Sequence, residues 1–215
     1  MLFLPAMTGG VRVAFDQIGK RFGNRTVLAR VSGVLEPGRV VVVAGPNGSG
    51  KSTLLNILAG VLRPSRGTVS YRSGDGELPR GRWFERLGVA APDMAVYEEL
   101  SALENLGFFA RVRGLRAGAG EHAALLEELG LGPREHRRPV GTFSSGMKQR
   151  VKLALAVLHD PAVLLLDEPS SNLDEAGHRV VAALVERFRA RAAVAVASND
   201  PREIAWGDAR IELAL

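Results

Sequence analysis

The sequence predicts an α/β fold on a parallel central sheet, and three observations carry that prediction. Val40–Ala44, Val163–Leu166 and Ala193–Ala197 are short runs that are apolar at every residue, the pattern of strands buried on both faces. Segments of helical period lie between them, at Lys51–Ala59 and Glu175–Ala190. Strands alternating with helices are joined by crossovers and so pair in parallel. The chain opens differently: Val11–Phe15 alternates, and Gly23-Asn24 marks a turn before Val27–Val34. An N-terminal antiparallel β subdomain is therefore expected ahead of the core.

In chain order, Glu36-Pro37-Gly38 breaks the backbone before the first buried strand. The helix from Lys51 puts Leu54, Leu55 and Leu58 on one face and stops near Gly60. Pro64 and Gly67 lead to a short strand, Thr68–Tyr71, and Ser73-Gly74-Asp75-Gly76 reads as a loop. Leu103–Arg113 and Glu121–Leu129 read as helices, and Arg134–Pro139 as a charged linker. A further helix, Gly146–Leu158, turns Val151, Leu155 and Leu158 inward. These middle helices form a subdomain inserted between two halves of the sheet.

Composition narrows the function classes. The 215 residues carry 28 Lys+Arg and 23 Asp+Glu, a net charge of +5, with 46% hydrophobic and 24% charged residues, ordinary values for a globular chain. The absence of cysteine excludes disulfides, thiolate metal sites and cysteine catalysis. No apolar run reaches the roughly 18 residues of a membrane span. Arg12, Arg39, Arg80, Arg113 and Arg179 are scattered, which disfavours a nucleic-acid stripe. The apolar Met1–Met7 lacks the basic flank of a signal peptide. It reads as a disordered or vector-derived start, with Met7 as an alternative initiator.

The chemistry is concentrated in two places. Gly45-Pro46-Asn47-Gly48-Ser49-Gly50-Lys51-Ser52-Thr53 fits G-x-x-x-x-G-K-[ST] and sits between a buried strand and a helix. Small residues let successive N–H groups converge on phosphate oxygens, and the helix N-terminus adds partial positive charge at the same point. Lys51 is expected to span the β- and γ-phosphates of a nucleotide, and Ser52 to ligate Mg²⁺. The apolar strand Val163–Leu166 ends in Asp167-Glu168. Asp167 suits a metal at that phosphate site, and Glu168 suits a general base for the attacking water.

With these residues in order, the chain resembles the ATP-binding-cassette ATPases. Phe143-Ser144-Ser145-Gly146-Met147-Lys148-Gln149-Arg150 resembles their signature, usually written L-S-G-G-Q, and Ser171-Asn172-Leu173-Asp174 resembles the loop after their catalytic glutamate. Phe22 falls where the family stacks an aromatic ring on adenine. Tyr97–Arg113 and the S-S-G-M-K-Q-R run are similar to ATPases of multidrug- and haem-type exporters. The resemblance implies a P-loop NTPase core and a single domain over residues 8–215. Residues 8–92 and 160–215 would form the nucleotide-binding core with its β subdomain, and 93–159 the helical signature subdomain. It further implies ATP and Mg²⁺ as ligands and separate integral membrane subunits as partners. The protein would lie in the cytoplasm on the inner face of the membrane. In a head-to-tail homodimer each ATP would lie between one chain's phosphate loop and the other's Ser144, Ser145 and Gly146. Independently of the resemblance, hydroxyls ahead of a helix make an anion site or a plain N-cap.

Two departures stand out. The family commonly places Gln, a metal ligand, after the strand leading into the helical subdomain. Counting back from Tyr97 puts Pro92 there, and sliding by one residue puts Asp93 there. The carboxylate of Asp93 suits Mg²⁺, against an ordinary Pro-Asp turn. After the third buried strand the family usually has a His on the γ-phosphate, and here Asn199 takes that place. Asn donates a hydrogen bond but cannot become cationic. Either Glu168 is the sole base or hydrolysis is slow. The rivals to a transport ATPase are a nucleotide-gated binding module with little hydrolysis and a soluble cassette ATPase outside transport.

Overall fold

The computed structural model describes residues 10–74 and 76–214, so the reading of Met1–Met7 lies outside the described residues. The central sheet has five parallel strands in the order β6-β7-β8-β3-β9: β3 (Val40–Ala44), β6 (Leu87–Ala90), β7 (Val163–Asp167), β8 (Ala193–Ser198) and β9 (Ala209–Glu212). The three fully apolar runs occupy its interior, where both faces must be apolar. Alternate residues separate two cores. Val40, Val42, Leu164, Leu166, Val194 and Val196 face the first. There they meet the helices α2 (Ala102–Val112), α3 (Ala119–Glu128), α4 (Ser145–Val157) and α5 (Glu175–Arg189). Val41, Val43, Val163, Leu165, Ala195 and Ala197 face the second, against α1 (Lys51–Leu58) and the N-terminal sheet.

That N-terminal sheet is antiparallel, in the order β2-β1-β4-β5: β1 (Arg12–Phe22), β2 (Arg25–Leu35), β4 (Arg66–Ser73) and β5 (Gly76–Leu78). The alternation that ends at Phe15 in the sequence resumes because of a bulge. Gln17 takes a φ of 50°, and the register slips between Phe15 and Ile18. One extra residue returns Ile18 to the buried face. The segment read as a loop at 73–76 is narrower than expected: Gly76 already begins β5 and pairs with Ser73, while Asp75 lies outside the described residues.

The edge strands β6 and β9 and the short helix α6 (Pro201–Ile204) lack a sequence signal of their own. Leu87-Gly88-Val89-Ala90 is short and interrupted by glycine, yet the glycine is what lets α4 lie on the sheet. A Cβ at position 88 would fall 2.1 Å from the Ala156 carbonyl oxygen. The C-terminal half of α4 is buried on every side, through Leu153, Ala154, Leu155, Ala156 and Val157, while Leu158 is only half-buried. Gly88→Val is expected to destabilise the fold by about 1–3 kcal/mol through overpacking, read as a lower thermal midpoint. The inserted helices share one continuous core with the sheet face, since Leu106, Leu126 and Leu129 cluster with Leu164 and Val194.

Candidate functional site

β3 delivers the chain into the loop 45–50, and α1 begins at Lys51. The turn depends on left-handed backbone. Gly50 sits at the N-cap with φ 99°, and a Cβ there would lie 2.9 Å from both Val27 Cγ1 and Leu28 Cδ2. No side chain caps α1, and its first turn holds no acidic residue. The orphan N–H groups of that turn and the positive end of the helix are left for an anion. Pro46, Asn47 and Gly48 are exposed. Lys51 is buried, and its Nζ donates to the Gly45 and Pro46 carbonyls at 2.9 and 3.1 Å. The ammonium thus closes the loop on itself until a stronger acceptor, such as a phosphate, takes those donors. Ser49 Oγ is buried without a partner, Ser52 is exposed and Thr53 is half-buried.

Asp167 ends β7 beside this loop, and its Oδ1 is buried without a hydrogen-bond partner. Burial pushes its carboxyl above the usual range. The Ser52 hydroxyl pulls it down, Glu168 pushes it up, Lys51 pulls it down and Asp93 pushes it up. An unpartnered carboxylate oxygen beside a serine hydroxyl is a hard-oxygen donor set, so Asp167 and Ser52 fit a divalent cation. Glu168 follows at φ 45°, a strained value for a non-glycine residue, and its N–H is tied to the Ala197 carbonyl at 2.9 Å. Asn199, after β8, donates from Nδ2 to Asn47 Oδ1 at 2.8 Å. The position expected to sense the γ-phosphate therefore already touches the phosphate loop.

Phe22, at the tip of the β1–β2 hairpin, is 49% exposed, with the Lys20 ammonium 4.9 Å from its ring centroid. Ser144 is the N-cap of α4, and its hydroxyl accepts from the Met147 N–H at 3.2 Å. Ser145 already belongs to the helix and is exposed, and Gly146 is half-buried. Asp93 is exposed. Its charge is felt at Asp167 and at Lys152, whose ammonium binds the Ala91 and Pro92 carbonyls. Among the described residues no three His, Cys, Asp or Glu side chains gather into a metal-holding group.

A sequence profile described as ABC transporter matches residues 28–171. The chain belongs to the ABC transporter family. It is an ATP-binding cassette of that family. It is 32% identical over 174 residues to a lantibiotic transport ATP-binding protein, SrtF, of Streptococcus pyogenes, covering 81% of this chain and 73% of SrtF. It is 35% identical over 185 residues to the ABC transporter ATP-binding protein NatA of Bacillus subtilis, covering 82% of this chain and 74% of NatA. An ABC transporter ATP-binding protein of Pyrococcus furiosus shares the fold, with a TM-score of 0.81 at 24% identity over 94% of this chain and 97% of that one.

Each of the cassette's motifs is a short contiguous run, so each is legible in the sequence. Two further buried side chains reach the loop after Glu168, Gln149 and Glu203. Gln149 lies inside the signature run and so carried a signal; Glu203 carried none. His178 and Arg202 belong to no sequence motif either. They line an open cleft of about 320 Å³ together with Glu168 and Asn199, and His178 Nε2 lies 3.0 Å from Arg202 Nη2.

Proposed function

We propose that this ABC ATPase drives transport through separate membrane subunits by closing and reopening a head-to-tail homodimer around ATP. The observation that carries the site assignment is the buried, unpartnered Asp167 oxygen beside the uncapped start of α1. Such a group is costly in a folded chain unless a ligand completes it. Lys51 exchanges its loop carbonyls for β- and γ-phosphate oxygens, and Phe22 offers an exposed ring to adenine. Asp167 and Ser52 hold Mg²⁺, with Asp93 as a further candidate. The cation neutralises charge on the β- and γ-phosphates when bound.

Glu168 accepts the proton of the attacking water, and its strained backbone and tethered N–H fix its direction. Asn199 has two amide donors. One is spent on Asn47, and the other is free for the γ-phosphate. A neutral donor stabilises developing charge less than an imidazolium does. Asn199→His is therefore expected to raise the steady-state ATPase rate about tenfold, the difference between a neutral and a charged hydrogen bond. An unchanged rate would mean that the donor at this position does not limit turnover.

The chain holds two helix N-termini suited to anions, at α1 and α4, each without an acidic residue in its first turn. A two-fold dimer uses both, because each contact then occurs twice. The domain division is 8–92 with 160–215, and 93–159, the latter carrying Ser144, Ser145 and Gly146 to the partner's nucleotide. Among the described residues no helix is long and apolar enough to cross a membrane. The proposed location is the inner membrane face, reached through a partner. Affinity capture from native membranes tests this. Recovery of an integral membrane protein is expected, and recovery of ribosomes alone would favour a soluble role.

A further inference from the structure

The loop between Glu168 and α5 is held at a single peptide group. The Pro169 carbonyl accepts from Gln149 Nε2 at 3.0 Å, and the N–H of the same peptide, on Ser170, donates to Glu203 Oε1 at 2.9 Å. Both side chains are buried, at 5% and 2% exposure. Gln149 comes from α4, the helix that begins at the signature serines. Glu203 comes from α6, four residues after Asn199, which is itself bonded to Asn47 of the phosphate loop. The peptide so gripped begins one residue after Glu168.

We infer that Gln149 and Glu203 are positioning residues for hydrolysis: together they clamp the 169–170 peptide and so set the direction of the Glu168 carboxylate. The inference rests on Glu168 as the base. Glu203 is buried with its Oε1 on the Ser170 N–H, and removing that acceptor would leave a buried N–H unpaired. Glu168 sits at a backbone angle that persists only when its surroundings over-determine it. The clamp fixes the carboxyl side of that residue, while the Ala197 carbonyl fixes its amide side. It also joins the signature helix and the segment after β8 to one peptide, so a shift of either element reaches the base through one hydrogen bond and the backbone of Pro169.

The test is steady-state ATPase kinetics on Glu203→Ala, Glu203→Gln and Gln149→Leu, with Glu168→Gln in the same assay and thermal melting on each. A displaced base costs up to about 100-fold in rate. Glu203→Ala and Gln149→Leu should lower kcat by roughly 10- to 100-fold, with the KM for ATP within about threefold of the parent. Glu203→Gln keeps an oxygen acceptor of the same reach and should recover most of the lost rate. The clamp is overturned if kcat survives in both truncated variants, or if Glu203→Gln is as slow as Glu203→Ala. It is also overturned if the loss appears in KM and melting temperature rather than in kcat. If Glu168→Gln hydrolyses at the parent rate, the base assignment falls, and the clamp falls with it. If only Glu168→Gln is inactive, the clamp alone falls.

Discussion

Glu168→Gln is expected to lower ATP turnover by about 10²- to 10⁴-fold, the contribution of a positioned general base, while ATP affinity stays within about threefold of the parent. Glutamine keeps the size of the side chain and its hydrogen-bonding oxygen but cannot accept the proton of water at neutral pH. The backbone features at this position, φ 45° and the bond from its N–H to the Ala197 carbonyl, belong to the main chain and are kept in the variant. A split between lost kcat and retained binding therefore isolates proton acceptance from folding. Phosphate-release kinetics and nucleotide titration on one preparation read both quantities. Turnover close to the parent would remove Glu168 as the base.

Lys51→Ala is expected to act on binding instead. The ammonium is buried and holds the Gly45 and Pro46 carbonyls. It is the one cation among residues 45–53. Hydrogen bonds to charged groups are worth about 1.5–3 kcal/mol each, so its loss should weaken ATP binding by roughly 10- to 100-fold. Removing it also leaves two loop carbonyls without their donor, so the empty loop should loosen as well. Titration of ATP into the variant, with melting as a control for folding, measures the effect. Affinity equal to the parent's would mean that the phosphates do not lie against Lys51.

What the sequence made legible follows from how locally each feature is encoded. β3, β7 and β8 could be read because a strand buried on both faces is apolar at every residue, and their neighbouring helices carry an amphipathic period. β6 and β9 could not, because β6 is four residues broken by Gly88 and β9 mixes charged with apolar residues, and both owe their place to pairing with β7 and β3. The second half of β1 was hidden by a bulge that breaks the two-residue period at Gln17. At the site, residues 45–53 and Asp167-Glu168 were readable because one turn of backbone holds the whole motif. The Gln149–Pro169 and Glu203–Ser170 bonds join residues 20 and 33 positions apart. No local pattern encodes such a meeting. Asn199 lay between these cases. Its place after β8 was legible, but its bond to Asn47 spans 152 positions and needed the fold.

The central claim is that the uncapped start of α1, Lys51 and the unpartnered Asp167 oxygen together form a nucleotide triphosphate site. Titration calorimetry of Glu168→Gln with ATP and Mg²⁺ tests it most directly, because turnover does not then deplete the ligand. Saturable heat with equal numbers of nucleotides and chains is predicted, abolished or strongly weakened when Lys51→Ala is added. Absence of heat at millimolar ATP, or binding indifferent to Lys51, would contradict it.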